Sequence, residues 1–96
     1  MTPSRERLPN RRASEIFTFA HENRLYTATV SRFRDGRPAE IFLNSGKAGS
    51  DVQTNAEASA ILTSLALQFG VPAGIIRHAV KGPIGKALEC LDEAAA

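Results

Sequence analysis

Residues 25–44, "LYTATVSRFRDGRPAEIFLN", decide the fold. They hold two runs rich in Thr, Tyr, Val, Ile and Phe, the residue types that fit a pleated, half-buried surface. Between the runs stands Asp35-Gly36, which reads as a two-residue hairpin turn whose central residues both take positive φ. With that pair at the tip, Arg34 faces Arg37, Val30 faces Ile41 and Ala28 faces Leu43. Upstream, "EIFTFA" (15–20) is a third strand-like run. If Glu22-Asn23 closes it onto the next, Phe19 faces Tyr26 and Phe17 faces Ala28. Side chains alternate along a strand, so both turns place Phe17, Phe19, Tyr26, Ala28, Val30, Ile41 and Leu43 on one face. Two turns assigned independently thus predict one antiparallel meander with a single core face. The opposite face holds Ile16, Leu25 and Phe42 among threonines, too apolar for a solvated face.

After the strands the period changes to that of helices. "NSGKAGS" (44–50) leads into a helix over residues 51–69. Ser50 with Gln53 forms a capping box at its start. Ala58, Ile61, Leu62, Leu65 and Phe69 form one apolar stripe, and Ala56, Ala60, Thr63 and Leu67 a second on the other side. Gln53, Glu57, Ser64 and Gln68 leave a narrow polar strip between them. A helix apolar on two sides is buried on two sides. One side is expected on the sheet. The small-residue side, with Ala56, Ala60 and Leu67, is expected against another helix, internal or from a second copy. Gly70 ends the helix, Pro72 suits the first turn of a short one, and residues 85–95 make a last helix. The expectation is an α+β fold, a three-stranded antiparallel meander followed by two or three helices packed on one face, β-β-β-α-α-α. Residues 1–13, polar and arginine-rich, read as a flexible basic arm, and residues 14–96 as one domain.

The chain has 96 residues, of which 43% are hydrophobic. That length supports one small core. Ile16, Leu25 and Phe42 on the sheet, with Ala56, Ala60 and Leu67 on the helix, are therefore expected to meet a partner, and the protein to be a homodimer. The basic start lacks an apolar segment of signal-peptide type, and no run is long and apolar enough to span a membrane, so a cytoplasmic location is expected.

Charge is uneven. Residues 1–37 carry eight arginines and four acidic groups, a net of +4, while residues 38–96 carry a net of −2. A basic front end attracts nucleic acid, nucleotides or an acidic partner. Arg32, Arg34 and Arg37 around the hairpin tip, with Lys47, Gly49 and Ser50 at a helix start, are the candidate phosphate- or nucleic-acid-binding residues. The pattern at Gly46-Lys47 departs from the Walker loop, because Lys47 precedes Gly49-Ser50. The simpler assignment is a strand-to-helix joint with Ser50 as cap.

No catalytic set emerges. Cys90 is the sole cysteine, which excludes an internal disulfide, and beside Glu89, Asp92 and Glu93 it reads as a small apolar helix residue rather than a nucleophile. His21 and His78 lie far apart, so neither a metal site nor a cofactor is expected.

The order of these pieces resembles the TSCPD domain. Tyr26-Thr27 with Val30 comes first, then Asp35-Gly36-Arg37-Pro38 with Glu40-Ile41-Phe42. Gly46-Lys47 with Gly49-Ser50 follows, then Ser64-Leu65-Ala66-Leu67 running into Gly70-Val71-Pro72. The resemblance covers residues 24–82. That family occurs at the C-terminal end of adenosylcobalamin-dependent ribonucleotide reductases and as small separate proteins. The Thr-Ser-Cys-Pro-Asp motif that names it is absent here, where Gly82 is followed by "PIGKALECLDEAAA". A metal or redox role tied to that motif has no residues to carry it. Thiyl-radical reduction needs a radical cysteine and a redox pair, and this chain has Cys90 alone. The resemblance implies a non-catalytic accessory or regulatory module beside a ribonucleotide reductase or another protein of deoxyribonucleotide metabolism. A nucleic-acid or nucleotide binder is the alternative.

Overall fold

The computed structural model describes residues 4–8, 13–46 and 49–95. Its order is β1 (Ser14–His21), β2 (Arg24–Arg32), β3 (Pro38–Asn44), α1 (Asp51–Gln68), α2 (Ala73–Ala79) and α3 (Pro83–Ala95). The strands form one antiparallel sheet in the order β1-β2-β3. The α+β meander and its three helices are as the sequence predicts.

The β1–β2 turn holds Glu22 and Asn23 at φ of 49° and 63°, the two-residue turn that follows the right-handed twist of its strands. Phe19 faces Tyr26 and Phe17 faces Ala28. Glu22 has no local reason to tolerate positive φ, a region where Asn and Gly are at home. Replacing Glu22-Asn23 by Asn-Gly is expected to stabilise the fold by ~0.5–1 kcal/mol. Thermal unfolding reads this as a rise of a few degrees.

The second turn differs from the expectation. Only Gly36 has positive φ, at 95°. The Gly36 N–H donates to the Phe33 carbonyl at 2.9 Å and the Phe33 N–H to the Arg37 carbonyl at 2.8 Å. The loop is therefore Arg34-Asp35-Gly36, three residues with the glycine in the left-handed position. Asp35 accepts from the Arg37 N–H at 3.1 Å, which holds the tip without a positive φ at Asp35. A three-residue loop shifts the pairing by one, so Arg32 faces Pro38, and the expected Arg34–Arg37 pair does not form. An irregularity between Ser31 and Arg32 leaves Ala39 as an extra residue on β3 and restores the phase. Val30 then faces Ile41 and Ala28 faces Leu43. The core face survives because the two offsets cancel.

The helices cover that face. Phe19, Tyr26, Ala28, Val30, Ile41 and Leu43 are buried, and Phe17 is half-buried. Helix α3 turns Ile84, Ala87, Leu88 and Leu91 into the core at helical spacing. Helix α1 packs with the side opposite to its large apolar stripe. Ala56, Ala60, Thr63 and Leu67 are buried within the chain, while Ile61 and Leu62 are 55% and 68% exposed. Small residues let the helix approach β3 closely enough for polar side chains to reach the strand's backbone.

Those polar side chains are the strip of Gln53, Ser64 and Gln68, all buried. Ser64 Oγ accepts from the Ile41 N–H at 2.9 Å and donates to the Ile41 carbonyl at 3.1 Å. Gln68 Nε2 donates to the Ala39 carbonyl at 3.0 Å, satisfying the extra residue. Gln53 Oε1 accepts from the Ser45 N–H at 2.7 Å and the Ser45 hydroxyl at 2.8 Å. The capping box is thus half formed. Ser50 accepts from the Gln53 N–H at 3.1 Å, but the Gln53 side chain serves the β3–α1 joint instead of reaching back. Together the three residues bond the outer edge of β3 and the joint after it at Ala39, Ile41 and Ser45.

Of the expected arm, residues 4–8 are described and lie along the end of α1. The Glu6 N–H donates to the Gln68 carbonyl at 2.7 Å, and Arg5 Nε donates to Gln68 Oε1 at 2.6 Å. Helix α1 itself ends in paired bonds, from the Gly70 N–H to the Leu67 carbonyl and from the Val71 N–H to the Ala66 carbonyl, with Gly70 at φ 97°.

Candidate functional site

The basic candidates fall into two places. At the hairpin tip, Arg32 Nε donates to Glu15 Oε1 at 2.6 Å and its terminal nitrogen to the Gly36 carbonyl at 2.8 Å. Arg37 donates to Asp35 at 2.6 Å and to Glu6 at 3.1 Å, and its guanidinium lies 4.6 Å above the ring of buried Phe33. The backbone and side-chain hydrogen bonds from Arg37 lower the Asp35 pKa. The same side-chain bonds, to Asp35 and Glu6, raise that of Arg37. These pairs are exposed and contribute little to stability, but they turn part of each guanidinium toward groups of the chain itself. Arg34 is exposed.

Ser50 and Gly49 stand at the start of α1, beyond the opposite end of β3 from the hairpin tip. Six residue steps along a strand separate the two places by about 20 Å. The Ser50 hydroxyl is engaged as cap. Lys47 lies outside the described residues. The structure therefore brings Arg32, Arg34 and Arg37 together but does not join them to Gly49 and Ser50.

The apolar candidates also divide. Ala56, Ala60 and Leu67, expected to face a partner, lie in the chain's own core. Ile16, Leu25 and Phe42 remain on the outer sheet face, 68%, 71% and 52% exposed. Ile16, Thr29 and Phe42 are cross-strand neighbours and form one row. A groove of about 380 Å³ then runs between Phe42 and Ile61, with Thr27, Asn44, Gln53 and Glu57 on its walls. Across it the helix stripe of Ile61, Leu62 and Phe69 continues the apolar surface. The sequence identified this stripe but assigned it to the sheet. The signal for the true orientation was the polar strip. Gln53, Ser64 and Gln68 share a helix side with Ala56, Ala60 and Leu67, and β3 is a strand whose outer edge needs donors and acceptors.

No set of three metal-ligating side chains gathers among the described residues. Cys90 is half-buried against the core. His21 lies 3.9 Å from Glu22 at the β1–β2 turn, and His78 is exposed on α2. None of the described helices is long and apolar enough to cross a membrane. The exposed large apolar side chains include Ile16, Leu25 and Phe42 on the outer sheet face and Ile61, Leu62 and Phe69 on α1.

Comparison with known proteins agrees with the resemblance in the sequence. The chain matches the family described as the TSCPD domain over residues 2–92. It is 38% identical over 77 residues to a vitamin B12-dependent ribonucleotide reductase of Rhodopirellula baltica. The match takes in 77% of this chain and 7% of the reductase, so the chain spans a small part of that relative's length. No solved structure matches it.

Proposed function

We propose that this chain, which belongs to the TSCPD domain family, is a non-catalytic accessory or regulatory module for a ribonucleotide reductase, working in the cytoplasm. The observation that carries this reading is its 38% identity to a segment of a B12-dependent reductase. A segment that small is an attachment to a catalytic body rather than the body itself. The outer sheet face and the α1 stripe supply the contact, with Phe42 and Ile61 facing each other across the groove. Exposed apolar surface of this extent, rimmed by polar residues, is the mark of a protein-binding surface. Cys90, the sole cysteine, leaves the chain without the radical cysteine and redox pair of the reduction itself.

The test uses the purified chain, immobilised and challenged with a B12-dependent ribonucleotide reductase. Retention of the reductase, lost in a Phe42→Glu, Ile61→Glu double variant that keeps its helical signal, is the expected result. A reductase that passes unretained, or is held equally by both proteins, refutes the reading. The nucleotide-binding alternative has less support, because Arg32 and Arg37 already hold carboxylates within the chain.

A further inference from the structure

The two edges of the sheet are treated differently. The outer edge of β3 and the joint after it are bonded by Gln53, Ser64 and Gln68 at Ser45, Ile41 and Ala39. The outer edge of β1 is not. The phase of the ladder shows which groups it offers. In a two-residue hairpin the pair flanking the turn is hydrogen-bonded, and bonded and non-bonded pairs then alternate. His21 with Arg24 is that flanking pair, so His21, Phe19, Phe17 and Glu15 bond to β2. The Ile41 backbone groups, turned away from β2 to Ser64, fix the same phase from the far side of the sheet. Ser14, Ile16, Thr18 and Ala20 therefore direct their N–H and C=O groups outward. No backbone bond from another described residue outside the ladder reaches them.

Strand β1 also lacks the usual protections of an edge. It holds no proline, lysine or bulge, and its one acidic residue, Glu15, is paired to Arg32. We infer that β1 is the self-association site, pairing antiparallel with β1 of a second copy about a two-fold axis to make a six-stranded sheet. A strand edge is self-complementary under such an axis. For outward groups to meet outward groups along most of the strand, the axis passes through Phe17 or Thr18, the middle of β1. Polar matching of side chains selects Thr18. That register sets Glu15 against His21 of the second copy, twice, and half-buried Phe17 against Phe19. The Phe17 register would set Glu15 against Phe19 instead. Thr18 then faces Thr18, and Ile16 faces Ala20, with their outward groups bonded. The outer faces of the two copies, with Ile16 and Leu25, become continuous.

This inference does not depend on the reductase reading, since it is measured on the chain alone. Sedimentation at rising concentration is expected to show a dimer. Thr18→Pro removes an outward N–H that β2 does not use, so the dimer is lost while the far-UV spectrum is kept. If that variant fails to fold, cross-linking decides. In a Cys90→Ser background, Thr18→Cys sets two thiols at the Cα separation of a bonded pair, about 5.5 Å, which suits a disulfide. It should oxidise to a covalent dimer, whereas Thr27→Cys, on the same face of the central strand, should not. A wild-type monomer at high micromolar concentration, a dimeric Thr18→Pro variant, or equal cross-linking at the two positions overturns the proposal.

Discussion

Replacing Gly85 by alanine is expected to cost about 1–2 kcal/mol net, against a small gain for the same change at Gly74. Alanine normally improves a helix by ~0.5–1 kcal/mol over glycine. At Gly85 that gain is overrun. A Cβ there would overlap the Val80 carbonyl oxygen, and the Arg77 carbonyl lies 3.9 Å from it. Both are backbone atoms, so no rotamer change relieves the clash. The Val80 segment is itself fixed, because its N–H donates to the Ile76 carbonyl at 2.9 Å and Gly82 beyond it sits at φ 99°. Relief requires α2 and α3 to separate, which uncovers Ile76, Ile84 and Leu88, all buried. Overpacking of this kind costs ~1–3 kcal/mol. A domain of this size holds about 5–10 kcal/mol in total, so the loss is a large share. Gly74 has nothing within 4 Å of a Cβ, and its alanine variant should be at least as stable as the wild type. Urea unfolding distinguishes them by midpoints displaced in opposite directions at an unchanged slope. Equal midpoints would show that the α2–α3 junction is looser than this packing implies.

The contrast between local and distant information runs through the whole fold. Strand positions and the core face were legible because they depend on period-2 alternation and two short turns. The hairpin at Asp35-Gly36 shows how much redundancy that carries. The turn has three loop residues rather than two, yet the face is right, because burial of Val30, Ile41 and Leu43 selects a register that an extra residue at Ala39 restores. The orientation of α1 was not legible in the same way. Its large residues, Ile61, Leu62 and Phe69, look like the core stripe by size and spacing. What turns them outward is a demand from β3, whose outer backbone groups bond to Ser64 and Gln68 on the opposite side of the helix. The site divides along the same line. Arg32, Arg34 and Arg37 are neighbours by virtue of one hairpin. Their separation from Gly49 and Ser50 follows from the length of β3, and their engagement with Glu15, Asp35 and Glu6 from tertiary contacts.

That dependence of α1 on β3 makes Ser64 the polar residue whose loss should be felt most. In Ser64→Ala the Ile41 N–H and carbonyl lose their hydroxyl partner together, inside a helix–strand contact closed to water. A buried backbone group left unpaired costs about 1–3 kcal/mol, so two of them should remove about 2–4 kcal/mol. The hydroxyl itself is small, and cavity formation adds little. The loss therefore measures polar satisfaction rather than packing. Ser59→Ala is the matched control, because its hydroxyl bonds within the helix to the Ala56 carbonyl at 2.9 Å at a half-buried position. It should change stability by less than ~0.5 kcal/mol. Amide exchange separates this account from a general loosening. The Ile41 amide should lose protection in Ser64→Ala well beyond the global change, while the Ala28 amide, in the central strand, should follow global stability alone. Water entering to replace the hydroxyl would leave a variant near wild-type stability, and that result would mean that α1 covers the β3 edge without sealing it. A bonded edge has a consequence for assembly. With Ala39 and Ile41 of β3, and Ser45 after it, bonded to α1, β1 is the more open edge, so Ser64→Ala should also raise aggregation by freeing groups on a second edge.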